Sequence, residues 1–372
     1  AGVCCGNPGR RAQTPRHPEW CDERRSNGIP GRFLSAERQC QQKEVISKMD
    51  DLQLFDDLQP KLEQVRTELA NVIVGQKTVI DHLLIGLLSG GHCLIVGVPG
   101  LAKTLMVRSF AQALDLAFNR VQFTPDLMPS DITGSEILDE TAGSGQRSFR
   151  FVRGPVFTNV LLADEINRAP PRTQSALLEA MQEHHVTSSG QTHKLAEPFY
   201  VLATQNPIEQ EGTYPLPEAQ LDRFMFMLWV DYPSADEEVQ VVRSTTGEGS
   251  GKVSTVLDRD EIIEAQALVR RVPVDGNVVL RAVNLVRRTR PIEGSSDFVR
   301  DFVSWGAGPR ASQYLILAAK SKALLEGRKT PAPEDVDALA LPVLRHRIVT
   351  NFNAEAAGVK TPDIIARLLE SA

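Results

Sequence analysis

The sequence lacks a long apolar run and an excess of charge of one sign. Its longest apolar stretch, His82–Ala102, is interrupted at Ser89–His92 and at Pro99-Gly100, whereas a membrane span needs about 20 continuous apolar residues. No apolar segment opens the chain, so we expect no secretory signal. Lys and Arg number 41 against 47 Asp and Glu, and the net charge of −6 does not favour binding to a phosphate backbone. We therefore expect a cytoplasmic protein without membrane insertion.

Cysteine is scarce, and four of the five cysteines lie in the first 40 residues: Cys4, Cys5, Cys21 and Cys40. They lack the paired C-x-x-C spacing of a zinc site, although a metal knuckle that includes His17 is an alternative. The same segment has scattered prolines and no sustained apolar period, so it buries too little surface to offset its ordering entropy. We expect residues 1–48 to be a disordered, dispensable leader and the folded protein to begin near Met49.

The rest of the chain has the composition of a globular protein. Hydrophobic residues make up 42% and charged residues 24%, and 372 residues allow two or three domains. From about residue 76 to 232, apolar runs alternate with helical patterns, which predicts a parallel sheet flanked by helices. Several of the candidate strands are almost wholly apolar, as strands buried on both faces should be. The candidates are His92–Val96, Arg120–Phe123, Val160–Ala163, Phe199–Thr204 and Phe226–Val230.

Beyond Pro233 the β pattern disappears. Helical segments separated by Pro and Gly follow, and they predict a small helical bundle. These segments are Glu261–Val272, Val278–Arg288, Ala311–Leu325, Pro333–Arg345 and Pro362–Leu369. We expect an α/β domain with a five-stranded parallel sheet over residues 49–232 and a helical domain over residues 233–372.

A glycine-rich loop between an apolar strand and a helical pattern is the strongest chemical signal. Such a loop binds phosphates through backbone N–H groups, aided by the N-terminus of the helix that follows. Lys103 is expected to reach the β- and γ-phosphates, Thr104 to bind Mg²⁺, and Leu105 to begin the helical pattern. The loop itself consists of Gly97, Val98, Pro99, Gly100, Leu101, Ala102, Lys103 and Thr104.

Ala102 stands where glycine usually precedes the lysine of such a loop. Because alanine readily adopts right-handed helical dihedrals, we expect the loop geometry to tolerate it. A Gly/Pro turn that happens to precede a Lys-Thr pair is the alternative interpretation.

Two carboxylates, Asp164 and Glu165, end a second apolar strand. Ligands bind at the carboxyl ends of parallel strands in open α/β sheets, so both groups are expected to face the phosphates. Asp164 is expected to hold Mg²⁺, and Glu165 to polarise the attacking water, a task that needs a carboxylate. An ordinary acidic loop is the alternative, which the phosphate loop about 60 residues earlier disfavours.

Three more polar residues are candidates for the same chemistry. Asn206 follows another apolar strand and can orient the water or contact the γ-phosphate, although Asn206-Pro207 also suits a simple turn. Arg223 precedes the fifth strand, and Arg310 follows a proline at a plausible first helical position. An arginine at the γ-phosphate stabilises transition-state charge, but most arginines are only solvated surface charges.

Taken together, these motifs resemble the AAA+ ATPases, and most closely the MoxR family, over about residues 55–370. The resemblance implies that Asn206 is the sensor 1 residue, Arg310 is sensor 2, and Arg223 is the arginine finger that reaches a neighbouring subunit's nucleotide. Besides the phosphate loop, it is carried by Leu161–Pro171, Ala203–Pro207 and Glu211–Phe224.

Three other segments fit the same family. Asn71–Gln76 resembles the segment that lines the adenine pocket, which implies that Val74 and Gly75 contact the nucleotide. The segment from about residue 130 to 156, with the tip Thr141–Gly145, resembles the helix-2 insert. The segment from about residue 184 to 196 resembles the pre-sensor-1 hairpin. In related rings such loops face the central pore or the client.

The resemblance implies a Mg²⁺-dependent, ATP-hydrolysing motor that assembles as a ring, expected to be a hexamer. It implies chaperone-like maturation of a protein client, including metal or cofactor insertion, with a von Willebrand factor A-type partner. A magnesium-chelatase-like motor subunit is an alternative, as is a nucleotide-gated binding switch with little turnover, which the intact Asp164-Glu165 pair disfavours. A nucleic-acid motor like the MCM helicases, which share both insertions, is disfavoured by the acidic balance.

Overall fold

The computed structural model describes residues 31–140, 147–188, 190–209, 212–246 and 253–370. The chain divides into two units, residues 1–50 and 51–372; the sheet and all the described helices except the first part of α1 belong to the second. The strands are β1 Cys93–Val96, β2 Phe118–Gln122, β3 Gly134–Glu140, β4 Arg147–Arg153, β5 Val160–Asp164, β6 His185–Ser188, β7 Gln191–Lys194, β8 Tyr200–Gln205, β9 Phe226–Trp229, β10 Val303–Trp305 and β11 Val349–Thr350. The helices are α1 Gly31–Ala70, α2 Lys77–Leu88, α3 Lys103–Ala113, α4 Pro129–Thr133, α5 Pro171–Glu183, α6 Glu218–Leu221, α7 Ala235–Thr246, α8 Arg259–Arg271, α9 Gly276–Arg288, α10 Asp297–Phe302, α11 Pro309–Leu325, α12 Pro333–Ala338, α13 Ala340–Leu344, α14 Phe352–Ala357 and α15 Thr361–Glu370.

The central sheet has the five parallel strands that the sequence predicts, in the order β2-β5-β8-β1-β9. Every residue of β1 and β5 is buried, which explains why these strands are continuous apolar runs. In register, Val96 lies opposite Gln205, and Gln122 lies opposite Asp164. The carboxyl ends of four strands therefore lie along one edge, where the loops that follow them converge.

Apolar clusters cover both faces of the sheet. Cys93 and Ile95 of β1 belong to a cluster that includes residues of α1, α2 and the C-terminal helices. Leu94 and Val96, which point the opposite way, belong to a second cluster with residues of α5. Full burial of one such side chain contributes about 1.5–3 kcal/mol, so these two clusters fix the sheet rigidly under the loops at its edge.

Helix α1 begins earlier than the sequence indicated. A disordered leader was expected over residues 1–48, but the backbone is helical from Gly31 onward. The apolar period expected after Met49 is present, since Leu58, Leu62 and Leu69 are all buried. Residues 1–30, which carry three of the clustered cysteines and His17, lie outside the described residues.

The C-terminal part is helical, as predicted, with two differences. The helix expected over Pro333–Arg345 is two helices, α12 and α13, that meet at Leu339. The expectation that no strand follows Tyr232 is wrong, because Val303 of β10 pairs with Thr350 of β11 in an antiparallel arrangement. Strands of three and two residues are too short to show the alternation by which strands are recognised.

Two antiparallel hairpins, β3–β4 and β6–β7, lie in the segments where inserts were expected. Phe151 of β4 stacks on His193 of β7, with ring centroids 4.0 Å apart, so the two hairpins contact each other. The first hairpin's tip, Thr141–Gly145, lies outside the described residues. In the part of the chain that the structure describes, no helix is long and apolar enough to cross a membrane.

Candidate functional site

A cavity of about 380 Å³ opens at the carboxyl edge of the sheet. It is lined by the loop after β1, by the ends of β5 and β8, and by one side chain from β2. Two of the lining residues, Arg120 and Thr204, were not singled out in the sequence. The cavity brings together residues of the glycine-rich loop with three other residues predicted from the sequence: Asp164, Glu165 and Asn206.

The loop after β1 holds two sharply constrained positions. A Cβ on Gly97 would lie 2.7 Å from the carbonyl oxygen of Val230, so only glycine fits there, and Gly100 has a φ of 87°. Ala102, which precedes Lys103, has φ 51° and ψ 23°. The expectation that Ala102 would keep right-handed dihedrals is therefore wrong: it takes the left-handed conformation that costs a non-glycine residue about 1–2 kcal/mol.

The ammonium group of Lys103 lies folded over the loop. Its Nζ donates hydrogen bonds to the carbonyl oxygens of Gly97 and Val98, the second at 3.0 Å. Burial lowers the pKa of Lys103, while the charges of Asp164 and Glu165 act in the opposite direction. A cation held only by carbonyl oxygens can move to a stronger acceptor, such as a phosphate, when one enters the cavity.

One hydroxyl group positions both carboxylate residues. Thr204 Oγ1 donates to Asp164 Oδ1 at 2.5 Å and accepts from the backbone N–H of Glu165 at 2.9 Å. The other oxygen of Asp164, Oδ2, accepts from Arg120 Nε at 3.1 Å and Nη2 at 2.6 Å. Asp164 is buried, and its carboxylate is fully hydrogen-bonded, as a buried charge should be.

Glu165 has an unusual backbone and two partners on one oxygen. Its φ of 56° and ψ of 49° place it in the left-handed region. Its Oε2 accepts from Gln122 Nε2 at 2.7 Å and from Arg168 Nη1 at 2.9 Å. A strained backbone at the end of a buried strand is typical of residues whose direction matters for function.

Thr104 and Asp164 meet the requirement for holding Mg²⁺. Both line the same cavity, and both offer oxygen donors, the ligands that this hard cation prefers. The donor set therefore fits this cation, and the assignment of these two residues to it stays a prediction.

Asn206 lines the cavity and also closes a turn. The residue is buried and lines the cavity beside Thr204 and Glu165. Its Oδ1 also accepts the backbone N–H of Ile208 at 3.1 Å, so the side chain closes the turn that was considered as the alternative.

Arg223 and Arg310 line a different cavity, of about 190 Å³, together with His92, His184 and Tyr314. Arg310 Nη1 donates to Asp222 Oδ2 at 3.1 Å, and Tyr314 Oη donates to the carbonyl oxygen of Arg223 at 3.2 Å. The structure thus places the two predicted arginines next to each other and away from the residues that line the first cavity.

The turn that carries Arg223 is held by two buried side chains from the turn that follows α13. Arg347 Nε donates to Asp222 Oδ1 at 2.8 Å, and its Nη2 donates to the carbonyl oxygen of Phe224 at 2.6 Å. His346 Nε2 lies 3.0 Å from that same carbonyl oxygen. Burial lowers the pKa of His346 well below its usual range, so the ring is neutral and donates through Nε2.

Val74 and Gly75 lie beside the glycine-rich loop. Val74 and Leu105 line an apolar cavity of about 120 Å³ together with Gly100, Leu101 and Ala102. Gly75, with a φ of 75°, lines a neighbouring cavity that shares Val74. Val74 and Leu105 thus supply apolar walls to a space next to the loop, and their contact with a nucleotide stays a prediction.

The comparisons with known proteins agree with this geometry. The family described as "ATPase family associated with various cellular activities (AAA)" matches residues 92–226, and an AAA lid domain matches residues 297–368. Chaperone MoxR1 of Mycobacterium tuberculosis is 45% identical over 83% of this chain and 81% of its own length.

Two further relatives extend the comparison. YeaC of Bacillus subtilis is 41% identical over 85% of this chain and 95% of its own length. A crystal structure of a Cytophaga hutchinsonii protein matches with a TM-score of 0.80 and 41% identity, over 89% of this chain and 98% of that one. The chain belongs to the MoxR family of AAA+ ATPases, with an α/β nucleotide-binding core and a C-terminal helical lid.

Proposed function

We propose that this protein hydrolyses ATP to ADP and phosphate within an oligomeric ring and uses the cycle to remodel or mature a protein client. Phosphoryl transfer to water requires a phosphate-binding loop, a carboxylate for the metal ion and a second carboxylate for the water. The observation that carries the proposal is that one cavity is lined by Lys103, Thr104, Asp164, Glu165 and Asn206.

The phosphates are proposed to lie along the loop Gly97–Leu105. Backbone N–H groups at the start of α3 face an anion bound there, as at other helix N-termini. Lys103 Nζ exchanges its carbonyl partners for oxygens of the β- and γ-phosphates. The adenine ring packs in the apolar cavity beside Val74 and Leu105, with Gly75 next to it.

Thr104 and Asp164 are proposed to hold Mg²⁺, which, when bound, neutralises charge on the phosphate oxygens. Thr204 keeps the Asp164 carboxylate in place through its 2.5 Å hydrogen bond. Glu165 accepts the proton of the attacking water, and Asn206 orients that water or contacts the γ-phosphate.

Arg223 and Arg310 are proposed to act on the nucleotide of a neighbouring subunit. They line a separate cavity in which two guanidinium groups can receive an anion, and an arginine at the γ-phosphate is worth about 10³–10⁵ in rate. An active site divided in this way requires a ring, and we propose a hexamer.

The chaperone-like part of the proposal is supported by the relative named Chaperone MoxR1. Hairpin β3–β4 also exposes Leu138 at 53% and Phe149 at 73%, which is a large apolar surface for a protein contact. We propose a protein client, with metal or cofactor insertion as one form of maturation, and a von Willebrand factor A-type partner. A magnesium-chelatase-like motor subunit is the alternative within the same class of mechanism.

The test is the Glu165→Gln variant, assayed for phosphate release and for binding of a fluorescent ATP analogue. Because the amide cannot accept the water's proton, turnover is expected to fall by about 10²-fold or more while nucleotide binding persists. The matched control is Glu179→Gln, an exposed position on α5, which is expected to keep full turnover. Near-normal hydrolysis by Glu165→Gln contradicts the role of Glu165, and wild-type protein that binds ATP without releasing phosphate is instead a nucleotide-gated switch.

A further inference from the structure

The carboxylate proposed to hold Mg²⁺ already has a cationic partner within the chain. Arg120 Nη2 and Asp164 Oδ2 are 2.6 Å apart, and Nε of the same arginine is 3.1 Å from the same oxygen. With Thr204 bonded to Oδ1, both oxygens of Asp164 are engaged. No step of the proposed hydrolysis uses Arg120, so its presence in the cavity needs its own explanation.

The two side chains of this ion pair differ in how exposed they are. The side chain of Asp164 is 12% exposed, whereas that of Arg120 is 47% exposed on β2, the edge strand of the sheet. The backbone of Asp164 ends a strand that is paired on both sides, and Thr204 holds its carboxylate. If this pair separates, we therefore expect the guanidinium group to move, since it lies on a long side chain at the edge of the sheet.

Charge balance explains why Asp164 requires a partner. A buried carboxylate without a counter-charge is costly, and removal of one member of such a pair leaves an uncompensated charge. A metal ion at Asp164 provides the same compensation with two charges instead of one. Because two cations on one carboxylate repel each other, the guanidinium group and the metal ion compete for Oδ2.

We propose that Arg120 is a positioning residue that holds Asp164 when no metal ion is bound and competes with Mg²⁺ for it. This inference rests on the proposed function, because it assumes that Asp164 is the metal-binding carboxylate. Arg120 thereby leaves Asp164 only when Mg²⁺ binds together with the nucleotide. It also lowers the affinity of the nucleotide-free site for Mg²⁺.

The experiment measures the dissociation constant of fluorescently labelled ADP with and without Mg²⁺. The ratio compared between variants is the value without Mg²⁺ divided by the value with Mg²⁺. A charge-assisted hydrogen bond is strong enough that its loss changes an equilibrium by about tenfold. In Arg120→Met the ratio is expected to rise about tenfold, because Mg²⁺ no longer displaces a competitor and the metal-free site repels phosphate more strongly.

Arg168→Met is the matched control, because it removes a guanidinium group that pairs with another residue lining this cavity. Its guanidinium group also pairs with a carboxylate there, Glu165 Oε2 at 2.9 Å, but this carboxylate is not proposed to bind metal. Arg168→Met is expected to leave the ratio within about twofold of wild type, as is Arg287→Met, an exposed arginine on α9.

Arg120→Lys serves as a second variant, because it keeps the charge but loses the two-pronged contact, and an intermediate ratio is expected. An unchanged ratio in Arg120→Met, or an equal rise in Arg168→Met, overturns the inference. Wild-type protein that does not bind labelled ADP at all contradicts the proposed function instead, so the two failures are distinguishable.

Discussion

Two residues at the site adopt a backbone conformation that their side chains disfavour. Ala102 and Glu165 have φ values of 51° and 56°, and each ends a segment that leads into the cavity. The sequence did not indicate either conformation, because a left-handed residue without glycine is imposed by the surrounding structure and leaves no compositional signal. Both conformations direct functional groups, the N–H groups of the loop and the carboxylate of Glu165, toward the same cavity.

Replacing Ala102 with glycine is expected to stabilise the protein. Glycine removes a left-handed strain of about 1–2 kcal/mol but adds about 0.4–1 kcal/mol of chain entropy to the unfolded state, for a net gain of about 0.5–1 kcal/mol. Urea unfolding of wild type and variant measures this difference. Ala356→Gly, at an exposed position of α14, is the control and is expected to lose about 1 kcal/mol. A loss of stability in Ala102→Gly similar to that of the control contradicts the strained conformation.

At the scale of elements, a buried histidine joins β1, α5 and β8. His92, directly before β1, accepts the backbone N–H of Val201 through Nδ1 at 3.1 Å, and its Nε2 lies 3.2 Å from the carbonyl oxygen of Met181. The acceptor role of Nδ1 requires the proton on Nε2, so the ring is neutral. Burial lowers the pKa of His92 to about 4.

This burial predicts an acid-sensitive fold. Between pH 6.5, near the pKa of an unfolded histidine, and the folded value of about 4, the unfolded chain binds a proton that the folded chain excludes. The free energy of unfolding therefore falls as the pH falls through this window, by about 2 kcal/mol at pH 5 for His92 alone. His82, whose pKa burial also lowers to about 4, adds to the trend.

Urea unfolding of wild type and His92→Gln at pH 7 and pH 5 isolates the contribution of His92. Glutamine can accept one hydrogen bond and donate another but does not titrate, so the loss of stability between the two pH values is expected to shrink by about 2 kcal/mol. His184→Asn, which removes an exposed imidazole and tolerates the left-handed backbone there, is the control. An equal loss in wild type and His92→Gln excludes a buried neutral ring at this position.

Elements with a distinctive residue pattern could be predicted from the sequence. Very short strands, and contacts between residues far apart in the chain, could not. Strands such as β1 and β5 could be predicted because burial on both faces makes them apolar runs. The glycine-rich loop could be predicted because close approach to Val230 leaves room only for glycine at Gly97. The pair β10–β11 is too short for a pattern. Arg120 reaches Asp164 through the register of β2 against β5, which no local signal encodes.

At the scale of the whole molecule, the proposed catalytic groups lie in two separate cavities. Asp164 and Glu165 line one, whereas Arg223 and Arg310 line the other, and buried Arg347 from the turn after α13 holds Asp222 beside Arg223. The sequence predicted all of these residues as candidates, and the family resemblance implied that Arg223 serves a neighbouring subunit, but not that Arg310 lines the same cavity as Arg223. Under the proposed function a single chain has an incomplete site, and we propose that head-to-tail association brings one cavity to the other.

The most direct test of this account mixes two inactive variants, Glu165→Gln and Arg223→Ala, and measures phosphate release while sedimentation confirms assembly. In a randomly mixed ring, about a quarter of the interfaces join an intact Glu165 to a neighbour's intact Arg223, so activity is expected to recover to about a quarter of the wild-type value. Assembled mixed rings that release no more phosphate than either variant alone contradict an active site shared between subunits.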